Sequence, residues 1–375
     1  MESDEMHFSA ELFSWNFAIW RHMGYLDEQK RRLAHFIISM PTVVCVLVGF
    51  AFFMSKNDLE EDIYNFFIIM VCFTAILRVL VVLMRQRKFL DLFKVIEYWY
   101  IELQLQNSEN ALEKLKELTK KARFCTKYGL RCALLVDVFI ALQPMITGYG
   151  KLVADVKFPG IDFHKSPIYE IMYLLQTCWV LPITTFSYVP YVNFLLIFIS
   201  FGIFAIRDLQ RRLEDLCLMD DRDALDNVKR CVAYHVRIIK FHEDLEQFFS
   251  LMSLLDASLY CVTLCMMLVY TTMEFTMPLL IKGIGILLVL TTLIFLTYWL
   301  ADTFTHESLN IAEVAYNTNW MDRDKEFRRC ILLIIARSQR HLTLTAGGFK
   351  PMNMNTFMVI MRSSYSFFSL LQSTM

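Results

Sequence analysis

The stretch TAGGFKPMNMNTFMVIMRSSYSFFSLLQSTM, residues 345–375, decides the fold. Gly347, Gly348 and Pro351 make a turn that closes one helical pattern, and an uninterrupted pattern then runs almost to Met375. From about Met354 to Ser373 it is long enough to cross a bilayer. Ser363, Ser366 and Thr374 fall at helical spacing along one side of it. A membrane helix with a stripe of small hydroxyls meets either water or other helices along that stripe. The rest of the chain must decide which.

Of the 375 residues, 56% are hydrophobic and only 20% charged, with 32 Phe and 21 Met. The apolar residues gather in blocks of about twenty, the membrane pattern rather than the globular one. The net charge of −1 is uninformative because the charges are segregated along the chain. The opening MESDEMHFSAELF is acidic and lacks a basic start before an apolar core, so the first span is expected to act as its own insertion signal. All ten cysteines lie in apolar blocks or in segments expected in the cytoplasm, which predicts no disulfide framework.

Residues 8–26 are aromatic-rich and amphipathic, too short and too polar to span, and predict a helix lying at the membrane surface with Trp15 and Trp20 at headgroup level. Spans follow at about 33–54, 63–84 and 129–149, the last two separated by a capped, solvated helical segment. Residues 150–170 form an outer loop. Residues 171–206 carry no charge at all. That is too long for one straight span, and two spans would strand Arg207, Arg211 and Arg212 on the wrong side. One long fourth helix bent near Pro182 and Pro190 is the consistent reading. Spans at about 251–272, 279–301 and 354–373 complete seven.

Lys and Arg set the orientation. The amino tail holds four, residues 85–131 eleven, 207–240 eight and 323–340 six, against five on the other side: Lys56, Lys151, Lys157, Lys165 and Lys282. The amino terminus is therefore expected in the cytoplasm and, after seven spans, the carboxyl terminus outside. The organisation reads as an interfacial segment 1–32, six transmembrane helices over 33–306, cytoplasmic anchor helices over 307–350 and a last transmembrane helix over 351–375. The fold class is all-α.

Charges inside spans are functional candidates. Arg78 can snorkel toward the cytoplasmic side, whereas Asp137 and Asp256 lie deeper and need partners; Arg78 with Asp137 is one pairing. Arg362, midway along the last span, faces either neighbouring protein or a pore. Catalytic constellations are absent: His242-Glu243 and His306-Glu307 lack the second histidine of a metalloprotease helix. No cofactor, metal or nucleic-acid signal is present, and the chain is not read as an enzyme.

Aromatic and aliphatic faces stand out in the outer halves of three spans. Phe66, Ile69, Met70 and Phe73 share one face; Phe139, Leu142, Gln143 and Ile146, with Tyr149 above, share another. Thr184 and Tyr188 sit between the prolines of the fourth span. Most such faces are helix packing, but a cavity for a small apolar molecule needs this composition with one or two polar groups.

The inverted seven-span plan and the carboxyl-terminal third resemble the insect odorant receptor family. The resemblance rests on Glu307-Ser308, Ala315-Tyr316, Trp320 and SQRHLTLTAGGFKPMNMNTF at 338–357, continued into the final span. Gly24-Tyr25-Leu26 is similar to the family in outline. The family's co-receptor carries a long insertion before its fifth span that this chain lacks, so the chain resembles an odour-tuning subunit. Thr356-Phe357 followed by SSYSFF fits the odorant branch better than the related gustatory receptors.

The resemblance implies an odorant-gated, non-selective cation channel that assembles, as a tetramer, with the co-receptor in the plasma membrane of an olfactory neuron's dendrite. Its partners would be co-receptor subunits, a small volatile and membrane lipid. By position the family's apolar gate falls on Leu370 and its outer companion on Thr374, with Gln372 and Ser373 at the outer mouth and Ser363 and Ser366 along the pore. Thr374 is polar where the co-receptor is apolar. Arg362 stands at a co-receptor glycine, which favours an arginine facing away from the pore. The implied ligand pocket lies between spans two to four and six, adding Ile281 and Ile284; Tyr316, Trp320 and Arg328 fall in the implied subunit anchor. A homomeric gustatory-type channel and a metabotropic receptor are the alternatives.

Overall fold

A computed structural model describes residues 7–26, 40–47, 59–106, 108–147, 152–155, 163, 165–273 and 277–374. Tyr149, most of the expected first span and about half of the outer loop lie outside the described residues, as do the side chains of Gln143, Ile146 and Thr374. The elements are α1 (His7–His22), a helical segment α2 at 40–47, α3 (Leu59–Met84), α4 (Gln86–Leu105), α5 (Glu109–Thr147), α6 (Ile168–Leu175), α7 (Leu181–Asp215), α8 (Asp221–Met273), α9 (Met277–Tyr316), α10 (Lys325–Ser338), a hairpin of β1 (Thr345–Ala346) with β2 (Lys350–Pro351), and α11 (Met354–Thr374).

Several helices outrun a bilayer. With 53 residues, α8 extends roughly 80 Å at the α-helical rise, and its charged first half continues without a break into an apolar second half. The 40 residues of α9 do the reverse, running through the 306/307 boundary drawn from sequence. Among the described residues, four helical stretches are long and apolar enough to cross a membrane: 65–84, 168–218, 221–272 and 283–316.

At the centre stands α7, whose Phe194, Phe198, Ile199, Phe201, Ala205 and Leu209 are shut off from solvent. The long fourth helix is indeed one rod from α6 into α7. Its irregularity is a π-helical turn at Gln176–Val180, just ahead of the prolines. Pro182 lacks an N–H and its ring crowds the carbonyl four residues back; widening the preceding turn relieves that clash without ending the helix. The same turn places the buried Gln176 side chain to accept from the amides of Val153 (3.1 Å) and Ala154 (3.2 Å) and donate to Ala154 O (2.8 Å). Asn65 accepts from the Asp155 amide at 3.0 Å. The segment 152–155 thereby enters the bundle with its backbone satisfied.

The amino-terminal helix departs from expectation. Ser9, Leu12, Phe13, Asn16, Phe17 and Trp20 repeat at the helical period, and all are buried against α4, α5 and α7. Trp15 is exposed, but Trp20 is no headgroup anchor: it is fully buried, donates to Phe186 O at 2.9 Å and meets Phe194 edge-on. The Glu97 carboxylate of α4 accepts the first amides of α1, from Phe8 (3.0 Å) and Ser9 (2.8 Å), and the Ser9 hydroxyl (3.0 Å). An anion at a helix amino terminus satisfies donors the helix itself cannot.

Candidate functional site

The turn quoted at the outset is a docked hairpin. Gly347 and Gly348 adopt φ of 72° and 81°, values that suit glycine. The hairpin sits on α8: Gly347 N donates to Ser250 O (2.9 Å), Gly348 N to Ser250 Oγ (2.9 Å), and Thr345 N to Glu246 Oε2 (2.9 Å), with the Thr345 hydroxyl on the other Glu246 oxygen. A Cβ on Gly347 would lie 2.7 Å from Leu254 Cδ2, so the backbone approaches α8 as closely as a side chain allows. Asn353 then caps α11, accepting from Thr356 N at 2.9 Å. The Glu307-Ser308 pair closes the same junction. Glu307 binds Arg207 (2.7 Å) and Gln210 of α7, and Ser308 Oγ accepts from Leu342 N at 3.0 Å. The helix that would carry a gate is thus fastened to α8, and through α9 to α7.

Along α11, Ser364 and Ile360 face the bundle. Ser363 is half-buried, whereas Ser366, Leu370, Gln372 and Ser373 are exposed, as is Arg362. The stripe noted in the sequence therefore lies mostly on a face that this chain's own helices leave open.

Higher in the bundle, α3, α7, α8 and α9 meet around a buried polar cluster. Arg78, with 1% of its side chain exposed, donates to Asp256 Oδ1 at 2.7 Å. Its guanidinium lies 3.9 Å over the Tyr188 ring and 5.6 Å from the Tyr191 ring. Tyr188 and Tyr260 share a hydroxyl–hydroxyl hydrogen bond. The Arg78–Asp137 pairing is thus replaced: Asp137 takes a hydrogen bond from Thr185 instead. One cavity beside the cluster is walled by Met70, Val71, Leu259 and Leu290; a second, on the far side of Asp256 and Tyr260, by Leu195, Ile294, Tyr298 and Met352. Each has room for roughly one or two water molecules. Two further residues, Asn65 and Gln176, are polar and buried but bind backbone rather than open space.

Of the expected pocket faces, the structure gathers the α3 and α7 parts. Met70 and Tyr188 line the first cavity; Ile69 lines a third, with Cys72, Gln176 and Leu181. Thr184 donates to Cys72 Sγ at 3.5 Å. Phe66 and Phe73 are half-buried. Phe139 and Leu142 of α5 and Ile281 and Ile284 of α9 are instead 46%, 46%, 67% and 46% exposed, on the outer surface and away from these cavities. The reasoning from sequence missed Asp256 as Arg78's partner and missed Tyr191, Tyr260 and Tyr298; a charge in each of two spans was the available signal.

In the charge-rich part, Tyr316 is exposed, and Trp320 donates back to its carbonyl at 3.1 Å. On α10, Phe327, Ile331 and Ile334 pack inward while Arg328, Leu332 and Leu333 face out.

Residues 58–365 match the family described as 7tm Odorant receptor. The chain belongs to the odorant receptor family. Relatives of similar length agree: odorant receptor 10 of Aedes albopictus is 27% identical, the alignment covering 97% of this chain and 98% of that protein. Odorant receptor Or2 of Anopheles gambiae is 26% identical over 95% and 96% of the two chains. In fold, the chain is similar to the insect olfactory receptor OR5 of Machilis hrabei solved with eugenol, with a TM-score of 0.78 and 14% identity over 98% of this chain and 100% of that one.

Proposed function

We propose that this odorant receptor is an odour-tuning subunit of a cation channel, assembling with co-receptor subunits into a tetramer in the dendritic membrane of an olfactory neuron. The observation that carries the reading is the last helix. Ser366, Leu370, Gln372 and Ser373 along it are exposed in the single chain, Leu370 the apolar one among them, and the helix is fastened to α8 by the hairpin. Four such helices around an axis make a hydrophilic path with an apolar ring that closes by dewetting. The excess of Lys and Arg on one side supports a cytoplasmic amino terminus and an outer carboxyl terminus. The lack of a long insertion before α8 supports a tuning subunit over the co-receptor.

A volatile enters the cavities of the bundle by burying hydrocarbon, which contributes about 0.8 kcal/mol per CH₂. It opens the channel only to the extent that it binds the open arrangement better than the closed one. Cells expressing the chain with a co-receptor, screened against a panel of volatiles, test the reading: at least one volatile should evoke a cation current, and the chain alone should give none. A surface-expressed pair silent to the whole panel refutes it. Current from the chain alone would instead favour a homomeric, gustatory-type channel.

A further inference from the structure

Along α5 one outward stripe changes its chemistry with height. Lys120, Phe124, Lys127, Arg131, Leu135 and Val138 recur every three or four residues, and all are exposed. The stripe of Leu115, Thr119, Ala122, Thr126 and Leu130 is buried against the rest of the chain. Residues 114–131 hold seven Lys or Arg against one acidic residue, Glu117. Two of the seven are engaged within the molecule: Lys121 pairs with Glu117 at 2.7 Å and Arg123 with Glu11 of α1 at 2.6 Å. Lys120, Lys127 and Arg131 enter no ion pair among the described residues. Phe124 and Tyr128, their ring centroids 4.2 Å apart, stand exposed between these charges, and the Arg131 guanidinium lies 5.9 Å from the Tyr128 ring. At the same height α1 is docked on α5. Arg123 donates to Glu11 O at 3.0 Å, Asn16 donates to Thr126 Oγ1 at 3.2 Å, and the adjoining Trp15 is exposed.

A solvated helix face accounts for the lysines but not for the rings among them. Aromatic rings facing water forfeit the gain of burial, whereas at a membrane interface they meet headgroups and acyl chains at once. Arg131 stands one helical turn, about 6 Å, from Leu135, where the stripe turns apolar, and Lys127 stands one turn further out. Resting on the reading that places the amino terminus in the cytoplasm, we propose that this stretch of α5, with Trp15 of α1, is a docking surface for anionic phospholipids of the cytoplasmic leaflet. Lys127 and Arg131 meet the phosphates, and Phe124 and Tyr128 lie among the headgroups. Lys120, two turns below, adds an attraction that decays over about a Debye length. The three charges are strung along roughly 17 Å of helix and do not converge on one point. Such a surface reads the charge of a headgroup rather than its shape. It therefore ranks phosphatidylinositol bisphosphate above phosphatidylserine, and both above neutral phosphatidylcholine. The contact holds the cytoplasmic half of α5, and the α1 helix docked on it, against the leaflet.

The test titrates the purified full chain, in neutral detergent micelles, with fluorescent forms of the three lipids and follows their anisotropy. Affinity should rise in the stated order and fall with salt. Lys120→Gln with Lys127→Gln and Arg131→Gln should weaken the bisphosphate by about tenfold or more, because each basic residue at an anionic surface is worth about fivefold in affinity. The salt dependence should flatten with it. Arg222→Gln with Lys325→Gln and Arg329→Gln removes the same charge from exposed positions at the start of α8 and on α10, and should change affinity by less than about twofold. Phe124→Ser should cost about threefold and leave the salt dependence as it was. All these side chains are exposed; the single variants Lys127→Gln and Arg131→Gln carry the comparison should the triple variant not purify. Equal affinity for neutral and anionic lipids overturns the proposal, as does a stripe variant that binds like the wild type or a control variant that loses as much. Soluble inositol trisphosphate competing as tightly as the lipid overturns it too, since the surface would then bind phosphate without a membrane. An amino-terminal epitope tag separates the two failures. A tag reached by antibody in intact cells refutes the topology, and the proposal with it. A tag reached only after permeabilisation, together with any of those binding results, refutes the proposal alone.

Discussion

Two adjacent glycines separate two physical costs. Gly348 has a positive φ and open space where a Cβ would go; Gly347 has a positive φ and Leu254 Cδ2 at 2.7 Å. Alanine at either position carries the left-handed backbone penalty of roughly 1–2 kcal/mol. At Gly347 it must also displace the Leu254 and Phe349 side chains packed at the hairpin. Gly347→Ala should therefore lower the melting temperature of the detergent-solubilised protein more than Gly348→Ala; equal losses would mean that the close approach to Leu254 is not constraining. His235, on the charged half of α8, gives a second residue-scale effect. Burial pushes its imidazole down to about 4, and the Arg337 guanidinium acts in the same direction. The folded protein thus favours neutral His235, and its contribution is fully present above the unfolded value near 6.5. As pH falls from about 6.5 toward 4, the unfolded chain takes up a proton that the folded chain refuses, costing about 1.4 kcal/mol per pH unit. His235→Leu should make thermal stability less steep across that window. It should not flatten it, because burial also lowers His242. A variant with the wild-type pH slope would remove His235 from the account.

Among the elements, the hairpin joins helices that sequence could only list in order. Glu246 spends both carboxylate oxygens on Thr345, and Ser250 takes Gly347 and Gly348. If a ligand among α3, α7, α8 and α9 moves α8, this junction is one link to α11, beside the direct packing of α11 on α8 and α9. Glu246→Ala, at normal surface expression, should shift odour dose–response curves by about tenfold, within the usual range of coupling energies. An unchanged curve would mean that coupling takes another route. The Gly-Gly-Pro turn was legible in the sequence because glycine conformation is local. Which way Phe139 and Leu142 point was not. In a bilayer the lipid-facing and protein-facing sides of a helix are both apolar, so periodicity identifies a face without saying what covers it. Arg78 failed for a related reason: spacing gives the depth of a charge in its span but not which of two distant aspartates stands beside it. Trp20 failed in the opposite sense, because an aromatic amphipathic helix suits a membrane surface as well as it suits a groove between α4, α5 and α7.

On the scale of the whole molecule, the question is what covers the surfaces that one chain leaves open. Lipid can cover exposed apolar side chains at membrane depth, such as Leu135 and Leu288. It cannot do so on α10, which follows a charge-rich segment and carries Lys325, Arg328 and Arg329 beside Leu332 and Leu333. Those leucines are 50% and 56% exposed, while Ile331 and Ile334 on the opposite side are buried. Apolar area facing water forfeits about 25 cal/mol per Å², and on the subunit-anchor reading a neighbouring subunit recovers it. Leu332→Glu with Leu333→Glu should leave the single chain folded, since neither residue belongs to its core, yet abolish co-purification with tagged co-receptor and the odour-evoked current with it. Ile331→Glu supplies the contrast, because it should destroy the fold and cut total expression. Should the double glutamate variant co-purify and conduct as the wild type does, the outward face of α10 is not where the subunits meet, and the exposed leucines need another cover.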